Sequence, residues 1–491
     1  MLLLAVLVLG ASAQLRSAEY DEQYTLFLTA GTPRPDWPQG VFPAGTAQHL
    51  LTGHVGFTQI AVDLRRTDVH PPLYFWIVGL WRQATGNGLT AARLLSVAFS
   101  LGALAAVGSI ARRMSAPPAL AMLLTLGCYG FAYTGAIARN FALAQLLTLL
   151  GWAWGQRGRI RDRAAAGALF GGAVLTNYLA LFVTGTMTAW WVCKDLHRNQ
   201  CGNADRVQRW RSAATIGTLV PFLLADLWFF VVQRNARTGQ FPPFHWLTSL
   251  VRLARYMAAT VFGGLPLYAG GSARALASAT LASVLLMLAV LIVRQWRSAW
   301  LPLALAAGAP PAGLLALGFI FDNTPIELRY LAFASPFIAL LLAGAIGSLP
   351  ARVRHAAAGA VLLVQAAGIG GLLTRPETMQ PARITAAAAA QLVQDGIVLL
   401  PRGNDGVGIV GAFVLESPPA LRLLLIGPND TPNHIRARVA PFRRVVLALL
   451  EQDAASRSAV AAMRAAFAVR GWHPVGHGFN VIVYERGSRG E

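Results

Sequence analysis

Charge is what this chain has least of. Only 13% of its 491 residues are charged, against about a quarter in an ordinary soluble domain. Lysine is nearly absent: Lys194 stands alone among 41 basic residues. Cysteine is scarce too, with Cys128, Cys193 and Cys201 the only three, which excludes a disulfide framework. With a single lysine, the chain has no Walker-type phosphate loop, so ATP-driven transport has no sequence support. No metal-ligand cluster stands out among nine scattered histidines, and there is no His-x-x-x-His on a helix. The pair His473 and His477, set among glycine and proline, reads as loop. Gly403, Gly406, Gly408 and Gly411 lack the strand–turn–helix context of a nucleotide fingerprint and read as turns. Short-period repeats are lacking, and the only low-complexity tract is the alanine run 386–390.

What is abundant is apolar. Hydrophobic residues make up 55% of the chain, and mean hydropathy is +0.51. That balance describes an integral membrane protein. Apolar runs fall near 1–15, 89–111, 117–137, 141–156, 164–177, 179–193, 213–233, 275–293, 299–320, 330–349 and 356–373, which predicts eleven spans. The net charge of +20 is arginine, and it sits in short loops between these runs rather than on a soluble basic patch. Nucleic acid is therefore not an expected partner; the arginine excess reads as genome composition.

Arg112-Arg113, the 157–163 run, the segment from Lys194 to Arg211, Arg294 with Arg297, and Arg352 with Arg354 occupy alternate loops. The positive-inside rule makes those loops cytoplasmic and the N-terminus internal. The loops holding Asp21, His70, Arg139, Asn177 and Arg329 then share the outer side. Leu2–Leu9 followed by Ala11-Ser12-Ala13 resembles a signal-peptide core. It lacks a basic leading region, so an uncleaved first span is expected.

Residues 16–88 form a long outer loop. Within it Pro71–Trp81 is apolar, aromatic and too short to span, and its prolines suit a helix start. A helix lying in the membrane interface is expected there. Beyond about residue 376 the pattern changes to short runs at Ile397–Leu400, Leu421–Ile426, Val445–Leu450 and Val481–Tyr484. A helical stretch, Ser456–Val469, opens on a serine cap. The expected organisation is an all-α polytopic membrane domain, 1–375, followed by a small α/β soluble domain, 376–491, on the outer side.

Few residues carry chemistry. Asp21 and Glu22 precede Gln23-Tyr24 and the apolar Leu26-Phe27-Leu28, as on a helix packed against the membrane domain. A carboxylate there serves as a general base if it lies within hydrogen-bond reach of an acceptor hydroxyl; otherwise it is a solvated rim charge. His70, at the start of the interfacial helix, has a setting that favours anions, and a lipid phosphate is the obvious one. Arg139 and Arg329, at outer helix ends, either snorkel or clamp a phosphate. Asp226 lies inside the 213–233 run, where a buried acid is a functional candidate or the partner of an arginine.

Taken together, Tyr20-Asp21-Glu22, His70-Pro71-Pro72-Leu73-Tyr74, Ala92-Arg93-Leu94-Leu95-Ser96, Ala138-Arg139-Asn140-Phe141-Ala142-Leu143, Leu175-Thr176-Asn177-Tyr178 and Arg329-Tyr330-Leu331 with Pro336 occur in a family's order over residues 1–349. The series resembles the GT-C membrane glycosyltransferases. More narrowly, it is similar to the bacterial branch related to protein O-mannosyltransferases and to lipid A aminoarabinose and galacturonic acid transferases. The resemblance implies a polyprenyl-phosphate sugar donor and a glycan, lipid or protein acceptor. It implies Asp21 as base, Glu22 beside it, and His70, Arg139, Arg329 and Tyr330 at the donor phosphate. Asn177, Tyr178 and Asp226 are possible accessories. His70 stands where lysine is frequent, and Asn177 where lysine or histidine is common; both departures bear on the donor sugar and its charge. No cofactor is implied. One alternative in the class holds a divalent cation on Asp21 and Asp226. Outside the class stands a multi-span lipid or polysaccharide transporter. A single base and a phosphate clamp suffice for displacement with inversion, since phosphate leaves readily once its charge is neutralised. The expected site places Asp21 in a cavity, with Arg139 and Arg329 on its far wall and His70 near its entrance.

Overall fold

A computed structural model describes residues 1–200, 206–234, 241–263, 279, 282, 286, 289–374, 381–404 and 406–487. Most of the expected span 275–293, Cys201 and the expected boundary at 375/376 lie outside the described residues. The chain divides into two compact units. The first comprises Met1–Gln14, Leu64–Tyr74 and Ala92–Thr374; the second comprises Leu15–Asp63, Phe75–Ala91 and Arg375–Glu491. The long outer loop, expected to go with the membrane domain, is thus mostly grouped with the C-terminal segment.

The first unit is helical. Five helices among the described residues are long and apolar enough to cross a bilayer: Leu89–Arg113, Val207–Gln233, Leu301–Ile320, Leu328–Gly347 and Ala351–Thr374. The expected count of eleven includes shorter runs, such as the 15-residue helix Phe141–Gly155. Hydrocarbon is the natural solvent of these helices. The apolar window in Val207–Gln233 is only 22% buried, and Leu224, Trp228 and Val231 on it are exposed. In water such a surface would be an aggregation patch; in lipid it costs nothing, because the helix satisfies its own backbone.

The run 117–137, read as one span, is two helices, Pro118–Gly127 and Tyr129–Gly135, separated by extended Cys128. Packing and hydrogen bonding explain the break. A Cβ on Gly127 would lie 2.5 Å from Gln365 Oε1, and one on Gly130 2.5 Å from the Thr260 side chain. Gln365, buried on the helix Ala351–Thr374, donates to the carbonyls of Leu124 at 3.1 Å and Val261 at 3.3 Å. The inserted amide thus shares the Leu124 carbonyl with the Cys128 amide and ties it to the end of the helix Trp246–Phe262.

The second unit is built on a six-stranded sheet of order β1-β3-β2-β4-β6-β5. The strands are β1 Val41–Pro43, β2 Ile397–Pro401, β3 Arg422–Ile426, β4 Arg444–Ala448, β5 Trp472–Gly478 and β6 Val481–Arg486. The central β3-β2-β4 are parallel, and β2, buried along its whole length, is a continuous apolar run as that position requires. Val460, Met463 and Phe467 of the helix Ala454–Phe467 pack on Leu399, Leu424 and Leu447. Four strands fall where the sequence placed them. The other two do not follow from pattern. β1 comes from the outer loop and pairs antiparallel with β3. β5 holds His473 and His477, expected in a loop; as an edge strand paired only with β6, it tolerates Pro474 at an irregularity. The helix expected from Ser456 starts earlier: Asp453 is its cap, and Ser456 closes a reciprocal capping box three residues in.

Candidate functional site

In the first unit, short turns at the ends of several helices meet and exchange hydrogen bonds. The Leu73 amide donates to the Leu175 carbonyl at 3.1 Å. Asn140 Nδ2 donates to the Thr176 carbonyl at 2.8 Å, and Asn177 Nδ2 donates to Asn140 Oδ1 at 3.1 Å. Gln233, buried at the end of the helix Arg206–Gln233, donates to the carbonyls of Leu64 at 2.9 Å and His70 at 3.2 Å. The Tyr178 hydroxyl completes the network by donating to Gln233 Oε1 at 2.7 Å. Four segments far apart in sequence are therefore held in one polar junction.

His70 and Arg139 stand at its centre. Arg139 Nη2 lies 3.3 Å from His70 Nε2, and the arginine is 2% exposed. His70 Nδ1 lies 2.9 Å from Asp68 Oδ1, and Asp68 is fully buried. An ionised carboxylate only accepts, so Nδ1 carries the proton. The guanidinium nitrogen, 3.4 Å from Nδ1 as well, lies against both ring nitrogens of the neutral imidazole. The acid–imidazole–guanidinium series fixes the ring and tautomer of His70 and sets a neutral imidazole against the Arg139 guanidinium. Asp68 and Gln233 were missed in the sequence. The one available signal was an acid two residues before His70, too common to notice alone.

Asn177 and Tyr178 belong to the scaffold of this junction. Asn177 Oδ1 also accepts from the Leu179 amide at 3.0 Å, so both ends of its side-chain amide are committed locally. Burial pushes the Tyr178 hydroxyl well above its ordinary pKa, and the carboxylates of Asp226 and Asp68 push the same way. Tyr178 therefore remains a neutral donor. Asp226 is 5% exposed, and among the described residues neither carboxylate oxygen has a hydrogen-bond partner, so the alternative of a pairing arginine finds no support there.

Arg329 and Tyr330 lie on the short helix Leu328–Leu331. The Tyr330 ring sits 6.4 Å from Phe141, two residues from Arg139. Arg329 pairs with Glu327 at 2.8 Å and lies 5.2 Å from the Tyr330 ring centroid. Its side chain keeps 20% exposure, so any anion it meets competes with Glu327.

The acidic pair lies in the second unit, on the helix Tyr20–Ala30. Glu22, fully buried, accepts from the Glu19 amide at 2.9 Å and closes a capping box at the helix start. That carboxylate is committed to the backbone. Asp21, one residue earlier and 8% exposed, also lies in the first turn, where the dipole favours its charge. The helix was expected to pack on the membrane domain; in its own unit it packs on the helix Gly408–Glu416. A Cβ on Gly408 would come within 2.3 Å of the Tyr20 ring, and one on Gly411 within 2.8 Å of Phe27. Trp37 Nε1 donates to the Gly406 carbonyl, and Glu416 Oε1 accepts from the Ala18 amide at 2.7 Å. Arg82, buried on the helix Leu73–Thr85, donates to the Leu26 carbonyl at 3.0 Å, and burial lowers its guanidinium pKa to about 10.

No protein-family model matches the sequence, and no curated relative matches it. Solved structures do match. ArnT from Cupriavidus metallidurans bound to undecaprenyl phosphate aligns with a TM-score of 0.54 at 12% identity, over 99% of this chain and 97% of that one. The apo state of the same protein gives 0.53 at 14% identity, over 98% and 96%. The archaeal oligosaccharyltransferase AglB from Archaeoglobus fulgidus, in complex with an inhibitory peptide and a dolichol-phosphate, gives 0.43 at 12% identity, over 91% and 69%. The chain has the ArnT-like, GT-C fold over essentially its full length.

Proposed function

We propose that this chain, with its ArnT-like fold, is a membrane glycosyltransferase. It moves a sugar from a polyprenyl-phosphate donor to an acceptor on the outer face of the cell membrane. The acceptor hydroxyl gives its proton to Asp21 as its oxygen attacks the anomeric carbon. The bond from that carbon to the phosphate oxygen breaks, its electron pair leaves with the polyprenyl phosphate, and the configuration inverts. Arg139 and His70, with Arg329 and Tyr330 nearby, take up the negative charge that grows on the leaving phosphate. Asp68 positions His70, and Glu22 holds the first turn that carries Asp21.

The observation that carries this reading is the Asp68–His70–Arg139 series, with its acid and its arginine buried, at the junction of four segments. A structural arginine at a bilayer rim needs no oriented imidazole. A phosphate site uses both, the imidazole to hold the guanidinium in place and the guanidinium to supply preorganised donors that stabilise a developing anion without reorganising. Undecaprenyl phosphate bound to a protein of the same fold agrees with such a ligand. Arg139→Ala is expected to weaken binding of undecaprenyl phosphate by about tenfold or more, the size of a charge-assisted hydrogen bond. Titration of the purified protein with that lipid checks it. Unchanged affinity would return Arg139 to a structural role and remove the main support for the reading.

A further inference from the structure

A cavity of about 650 Å³ opens in the first unit and uses none of the residues above. Its cationic lining is Arg113, Lys194 and Arg297, and among the described lining residues there is no carboxylate. Its broad walls are Trp152, Trp190, Trp191 and Trp300. The helices place it. Phe141–Gly155 begins two residues after Arg139 and reaches the cavity at Trp152 and Ala153. Ala180–Gln200 begins two residues after Tyr178 and reaches it at Trp190, Trp191 and Lys194. At about 1.5 Å per residue, the cavity lies some 15–20 Å along the same helices from the polar junction, at their other ends. Those ends carry the arginine-rich loops.

The walls are built rather than incidental. Trp152 and Trp191 stack in parallel at 5.3 Å. Gly155 makes room for this, since a Cβ there would fall 2.0 Å from the Trp191 ring. Trp300 is 2% exposed, with the Arg297 guanidinium 5.8 Å from its ring centroid. Arg113 donates to the Ala153 carbonyl, fixing one cation on the rim. The nearest acid in sequence, Asp195, is engaged elsewhere, by Arg163 at 3.2 Å and Ser212 at 2.8 Å. Lys194 is therefore not neutralised by its neighbour.

Three cations without a carboxylate call for an anion. Tryptophan walls at the ends of apolar helices call for a ligand that is also apolar, and tryptophan favours the depth of lipid head groups. Basic pockets between helices on the positively charged side of a membrane protein suit anionic lipid head groups. We propose that this cavity binds one anionic phospholipid of the cytoplasmic leaflet. Its phosphate meets Lys194, Arg297 and Arg113, and its glycerol and upper acyl region lie along the tryptophans. The site is separate from the donor site and does not depend on the transferase reading.

Native mass spectrometry of the full-length protein, titrated with phosphatidylglycerol or phosphatidylcholine, tests it. The wild type should retain phosphatidylglycerol at least about tenfold more strongly. Lys194→Gln with Arg297→Gln should erase most of that preference, by about tenfold for each cation removed, with an unchanged unfolding midpoint. Phosphatidylglycerol with brominated acyl chains should quench tryptophan fluorescence in the wild type more than in the variant. Glycerol phosphate alone should not displace the lipid. Equal retention of the two lipids, an unaltered preference in the double variant, or displacement by glycerol phosphate would each overturn the proposal. Should the double variant unfold, Lys194→Gln alone carries the test, because that side chain is exposed and its loss leaves the walls intact.

Discussion

The imidazole of His70 does what its neighbours allow. Asp68 at 2.9 Å holds the proton on Nδ1 and sets the ring against Arg139. Asp68→Asn keeps the size but lets the ring turn, because an amide can donate to Nδ1 as well as accept from it. The expected result is a loss of about tenfold to a hundredfold in undecaprenyl phosphate affinity with little change in stability, read by lipid titration beside a thermal melt. Unchanged affinity would make Asp68 a mere turn-former, engaged with the Val69 amide at 2.6 Å. At this scale the sequence was informative about residues that sit in ordered motifs. His70 was expected at a cavity entrance and Arg139 on the far wall; the two side chains instead lie 3.3 Å apart. Asp68 and Gln233 were illegible, because one polar residue in a turn or at a helix end has no periodic signature. Glu22 was legible as an acid but not as a cap, since its partner is a backbone amide.

Elements tell a different story. Apolar periodicity locates helices well, but it does not see where a glycine and an inserted amide interrupt one. Hence the break at Cys128, which depends on Gln365 more than two hundred residues away. Nor does it see strands recruited by pairing rather than by composition. Three-residue β1 and proline-containing β5 exist because β3 and β6 offer them edges. The helix carrying Asp21 is positioned in the same non-local way, through a glycine that admits the Tyr20 ring. Gly408→Ala would set a Cβ 2.3 Å from that ring. The helix's first turn must shift, at an overpacking cost of about 1–3 kcal/mol. Turnover should drop while undecaprenyl phosphate affinity stays, because the arginine and histidine lie on other segments. A variant with wild-type turnover and an unshifted melt would show that this contact does not position the acid.

For the whole molecule, the alternation of arginine-rich loops predicts the orientation: N-terminus inside, donor turns and C-terminal segment outside. Labelling of single cysteines introduced at Ser115 and at Asn480 checks it. The first should react only after the membrane is breached from within, and the second from outside; the reverse pattern would move the proposed site to the other face. Composition was enough to establish a membrane protein, and motif order enough to suggest the fold that ArnT shares. The partition of the chain was not legible, since nothing in residues 16–88 marks Val41–Pro43 as a strand of a sheet completed some four hundred residues later.

The central claim is that the chain transfers a sugar from a polyprenyl phosphate with Asp21 as base. Asp21→Asn keeps the side chain's shape and removes the base. A mass-spectrometric inventory of lipid-linked sugars and glycosylated products, from cells making equal amounts of wild type or variant, tests the claim most directly. A positioned base contributes about 10²–10⁴-fold to the chemical step. With the variant, a polyprenyl-phosphate sugar should therefore accumulate and its transferred product should all but vanish, while the purified variant still binds undecaprenyl phosphate. An inventory identical to that of the wild type would contradict the account.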